Sequence, residues 1–186
     1  MKSVSVMAAV SLLAFGWVLT VAAQGQKPAP SITTLAGDVQ ADWTGVKELF
    51  TNAADAMPAD KFGFKSTPAQ RSFGEHVMHV VEANGFIIGT LGGKTAPPTI
   101  NMKATTKADV MTALRQSFEH GDAVVKEFND QQWNGRVAPP PFMGPSASRL
   151  RLVYQSMQHT QDTYGQMVVY LRLNGIVPPA SRRGGI

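Results

Sequence analysis

Apolar residues recur along this chain at helical spacing. From Thr33 to Ala56, Leu35, Val39, Trp43, Val46 and Phe50 follow one another at intervals of three and four, which predicts a helix with one buried face. Pro58 ends it. A second helix is expected from Pro68 to Leu91, with Thr67 as N-cap, Pro68 at the first helical position, and Phe73, Val77, Val80 or Val81, and Ile87 or Ile88 on the apolar face. Gly92 and Gly93 stop it. A third runs from Thr106 to Asn129. Thr106 and Asp109 form a variant of the capping box, and Val110, Leu114, Phe118, Val125 and Phe128 supply the stripe. After a long loop, a fourth helix is expected from Ser146 to Asn174, with Leu150, Val153, Met157, Tyr164, Met167 and Leu171 inward, Arg172 complementing the helix dipole and Gly175 at the C-cap. Gly165 is read as permitting a close helix approach.

No segment alternates with period two long enough to predict a strand. Amphipathic helices that each hide one stripe reach stability by sharing a core, so the fold expected is all-α, a four-helix bundle over residues 33–178 with a tail at 179–186. The 186-residue length suits one such core.

Before the bundle comes a segment of another kind. Lys2 precedes an apolar run from Val6 to Val21, and Val21 and Ala23 are small residues before a cleavage point after Ala23. This is the pattern of a secretory signal peptide over residues 1–23, with the proline-rich linker at 24–32. The competing reading is an uncleaved anchor, but the run is short against the ~20 residues that span a bilayer. Cleavage would leave no stable membrane anchor and would send the chain most simply to a bacterial periplasm. The chain has no cysteine, which removes disulfides, thiolate metal sites and a cysteine nucleophile. The formal charge of +4 includes Lys2, and no Lys/Arg run with interleaved aromatics is present, so nucleic acid is not an expected partner.

Two helices carry polar residues at the edge of the face a bundle hides. Ser72, Glu75, His76, His79, Glu82 and Ala83 share one side of the second helix at ~100° per residue, and Gln155, Ser156, His159, Asp162, Thr163 and Gln166 share one side of the fourth. Three of the chain's four histidines lie on these stripes, and the fourth, His120, is on the third helix. Such stripes are most often solvated faces. The Glu and Glu-x-x-His set of di-iron carboxylate bundles is missing, as is His-Glu-x-x-His.

Two stretches nevertheless carry a resemblance. PADKFGFKSTPAQRSFGEHVMHVVEAN in the middle of the chain and HTQDTYGQMVVYLRLNGIVPPASR near its end resemble the DinB-like (YfiT-like) proteins, four-helix bundles regarded as metal-dependent. The resemblance extends in pattern from Thr33 to Ser181. It implies a metal-ligating histidine on the second helix at the place of His79, and two more on the last helix as His-x-x-x-His before a Tyr-Gly pair. His159 occupies the first of those, and Thr163, directly before Tyr164 and Gly165, occupies the second.

A threonine hydroxyl is a poor ligand for zinc or nickel. Three arrangements follow. His76 or Asp162 replaces the missing ligand, Thr163 and a water do so, or the chain binds no divalent metal. The resemblance accordingly implies either a metal-dependent hydrolase or transferase, acting in some relatives with low-molecular-weight thiols, or a non-enzymatic bundle that binds a small molecule or serves in stress. A homodimer fits either case.

Overall fold

The computed structural model describes residues 34–183. The expected signal peptide, the linker and the last three residues of the tail lie outside them. The long helices are α1 (Leu35–Ala56), α2 (Phe73–Gly89), α3 (Lys107–Val125) and α5 (Arg149–Leu173), with a single turn α4 (Asp130–Trp133) before α5. No helix among the described residues is long and apolar enough to cross a membrane.

The helices form a ring. Both α1 and α2 pack on α3 and on α5, so α1 and α2 stand diagonally. Their inward stripes meet in one core. Trp43 and Phe50 of α1 pack against Phe118 of α3, with centroids 5.6 and 6.3 Å apart. Gly121 on α3 makes room for this arrangement: the indole of Trp43 lies where a Cβ would stand.

Helix ends follow local capping chemistry. Thr34 and Thr106 cap α1 and α3 by accepting from Gly37 and Asp109 backbone N–H groups. Thr67 does not cap α2, which starts later than the sequence predicts. Ser72 caps it, accepting from Glu75 N at 3.2 Å while the Glu75 carboxylate accepts from Ser72 N at 2.6 Å. A full capping box satisfies two orphan donors and outcompetes the single Thr67-Pro68 signal, which makes a turn closed by Gln70 N donating to Thr67 O. The new start is pinned from below: Phe73 N and Gly74 N donate to the carbonyls of Phe64 and Phe62. A side chain at Gly74 would run into the Phe62 ring.

The third helix is also shorter than expected. It ends at Val125, and Asn129 starts α4 with a second capping box to Gln132. The fourth predicted helix begins at Arg149 on Ser148, not at Ser146. Residues 136–137 and 147–148 pair as a two-residue antiparallel ladder, and Arg149 holds the junction. Its guanidinium donates to Leu91 O and Gln132 O and lies 5.0 Å from the centre of the Phe128 ring. Gly165 is exposed with open space around it, so no helix approaches there. Gly175, with φ of +73°, closes α5 by donating to Arg172 O while Ile176 N donates to Leu171 O.

Candidate functional site

The two polar stripes face each other where α2 packs on α5, and only part of each is solvated. Glu75, Glu82, Asp162 and Gln166 are exposed, whereas Ser72, His76, Ser156 and Thr163 are buried. Asn84 and Thr160, which the sequence reading passed over, are buried with them. The result is a polar seam inside an otherwise apolar interface. At one end, Ser156 Oγ donates to Asn84 Oδ1 at 2.9 Å, and Thr160 Oγ1 donates to Ser156 O. At the other, the Tyr170 hydroxyl donates to Arg71 O at 2.8 Å, and the His76 ring meets Tyr170 edge-on at 5.1 Å.

His79 and His159 meet at the middle of the seam, their Nε2 atoms 3.0 Å apart and their rings inclined at 68°. Two neutral imidazoles at this distance share one hydrogen bond, one ring donating and the other accepting. His159 Nδ1 is buried without a partner among the described residues. An orphaned N–H is costlier than an orphaned lone pair, which favours the tautomer with the proton on His159 Nε2, donated to His79. His79 then carries its own proton on Nδ1.

Thr163 lies one turn after His159 and is only 2 % exposed. Its hydroxyl donates to His159 O at 3.0 Å, so its proton is committed to its own helix. The expected substitutes do not take its place. His76 is turned to Tyr170 with neither ring nitrogen partnered, and Asp162 is exposed and accepts from Gln166 Nε2 at 3.0 Å. Among the described residues, no group of three or more His, Cys, Asp or Glu side chains is placed to hold an ion. Two nitrogens 3.0 Å apart could occupy neighbouring positions on one ion, given metal–nitrogen bonds of about 2.0–2.1 Å. The donor set therefore fits two positions of a metal site and not the three that keep an ion resident.

Burial holds the pKa of all three seam histidines below the ordinary value. The positive charge of Arg71 and repulsion between the rings add to this, while the carboxylates of Glu82 and Asp162 partly oppose it at His79 and His159. The seam is thus neutral at pH 7. A histidine that resists protonation when folded but titrates near 6.5 when unfolded gives stability that is present above 6.5 and lost as pH falls below it. Urea unfolding at pH 7 and pH 5 should show this loss, and His76→Phe should reduce it by removing the most buried ring. Equal pH dependence in parent and variant would show that His76 is not a source of acid lability.

The comparisons with known proteins agree with this architecture. Among solved structures, a DinB-like protein of Bacillus cereus superposes with a TM-score of 0.65 at 20% identity, covering 78% of this chain and 96% of that one. The DinB-like protein YjoA of Bacillus subtilis does so with a TM-score of 0.58 at 14% identity, covering 74% and 92%. Both likenesses show the fold. No curated protein sequence matches. The model of the DinB superfamily matches residues 42–167, a span that runs from the first helix through the histidine pair and Thr163, and on that match the chain belongs to the DinB superfamily.

Proposed function

We propose that this chain is an exported DinB-type bundle whose helix-pair site has become a two-histidine site without a resident metal, and that it acts as a small-ligand-binding protein. The observation that supports this is Thr163: the residue at the third family position spends its hydroxyl on His159 O, and among the described residues no other ligating side chain turns to the pair. Two neutral imidazoles in a partly open seam still offer hydrogen-bonding nitrogens to a small polar molecule. A metal-dependent hydrolase or thiol transferase is the second reading, favoured by the 3.0 Å convergence of His79 and His159.

Metal content separates the two. The protein, isolated from the exported fraction without chelator and with Gln24 expected as its first residue, should carry well under one equivalent of zinc or nickel by elemental analysis. His79→Ala should change that content little. Stoichiometric metal that disappears in His79→Ala would establish the second reading instead.

A further inference from the structure

A second site lies on the α3 side of α2, lined by none of the seam histidines. A cavity of ≈ 320 Å³ opens between α2, α3 and the loop that carries Pro97 and Ile100. Its volume falls within the range of small-molecule sites and is about twice that of a cavity of ~150 Å³ that accepts benzene. Val81, Pro97 and Ile100 form apolar wall, and Phe86 and Met102 stand at it 54 % and 50 % exposed, large apolar side chains left in water.

The polar side chains of this cavity share one chemical character. Glu82 contributes a carboxylate that makes no salt bridge among the described residues. His120 is buried, and its Nε2–H donates to Thr95 O at 3.3 Å, so that donor is spent on the backbone. Ser117, also buried, donates its proton to Leu114 O and keeps its oxygen lone pairs. Glu82 is an acceptor, the Ser117 and His120 donors are both spent on backbone carbonyls, and among the described residues no Lys or Arg lines the cavity. An anion would meet the Glu82 carboxylate and no Lys or Arg there, whereas an ammonium group brings three donors to it.

We infer that this cavity binds a small primary amine with an aromatic or branched apolar body, the body against Phe86 and Met102 and the ammonium toward Glu82. None of the lining residues is a seam histidine, so the proposal does not rest on whether the pair holds metal. Isothermal titration calorimetry of the mature protein with phenethylamine, 2-phenylethanol and phenylacetate tests it, since the three differ mainly in charge. Phenethylamine should bind at least tenfold more tightly than phenylacetate. Glu82→Gln, at an exposed position, should remove most of that preference and leave 2-phenylethanol within twofold. Gly85 is part of the wall, and a Cβ there would meet nothing. Gly85→Leu should therefore fill the cavity, abolish amine binding and raise the melting temperature by removing a glycine from a helix. Undetectable amine binding by the parent, equal binding of phenylacetate, or undiminished binding by folded Gly85→Leu would each overturn the assignment.

Discussion

Thr163→His should bind zinc or nickel at least tenfold more tightly than the parent, a gain of about 1.4 kcal/mol or more. The new imidazole would sit one turn beyond His159 and ~40° around α5, the i, i+4 relation that lets two histidines of one helix share an ion. The His79 and His159 nitrogens already converge at 3.0 Å, so the variant adds a third ligand to a pair that is close, and metal binding exchanges their shared hydrogen bond for two metal–nitrogen bonds, with the His159 proton moving to Nδ1. The substitution carries a structural cost. Thr163 is 2 % exposed, not solvated as the sequence stripe suggested, and a larger ring there overpacks the α2–α5 interface by about 1–3 kcal/mol. The apo variant should therefore melt below the parent, and metal should restore it by mass action. Competition against a chromophoric chelator measures the affinity. A parent that binds as tightly as the variant would mean that another group completes the site and that Thr163 does not stand in a ligand's place.

Trp43→Ala should destabilise the bundle by about 3–5 kcal/mol, the range for deleting a large buried aromatic side chain. Trp43 is 1 % exposed, lies edge-on to Phe118, and donates Nε1–H to Asp122 Oδ1 at 2.9 Å. Asp122 in turn pairs with Lys47 at 2.6 Å, so α1 and α3 are joined by an apolar contact and a polar one at the same level. Gly121 gives this prediction a sign that can be checked. In the parent, Gly121→Ala places a methyl against the indole and should cost about 1–3 kcal/mol. In the Trp43→Ala background the space is free, and the same change should be neutral or stabilising by up to about 1 kcal/mol through helix propensity. Urea unfolding of the four proteins reads the coupling. Additive losses would show that the glycine is not there for the indole.

The large divisions of the fold were legible because periodicity is a local property. Val39, Trp43, Val46 and Phe50 are buried as their spacing predicts, and Pro58 and Gly175 stop their helices with their own backbone chemistry. Misplaced boundaries came from competing caps. Thr67-Pro68 and Ser72-x-x-Glu75 are both start signals, and the reciprocal capping box of the second, together with the folded contact with Phe62 and Phe64, decides between them. The site was less legible. Spacing alone could not pair His79 with His159, which are 80 residues apart, and it was the family resemblance that brought them together. Nor could it show that His76 turns from the stripe to Tyr170, or that Asn84 has a partner 72 residues away in Ser156. Gly165 and Gly121 make the same point: the sequence suggested a close approach at Gly165, where the space is open, and gave no sign of the one at Gly121, which only the Trp43 indole across the bundle reveals.

The bond between Asn84 and Ser156 has a consequence for how α2 and α5 find their alignment. Apolar side chains interlock in several ways at nearly equal cost, so a helix pair packed by Val, Ile and Met alone tolerates sliding by a turn. A slip of one turn here would move the Ser156 hydroxyl away from the Asn84 amide and leave both in an apolar layer, where an unpaired polar group costs about 1–3 kcal/mol. It would also carry His159 past His79. A single buried amide–hydroxyl pair, about a turn along the seam from the histidines, thus acts as a register key that sets the two imidazoles at the same height.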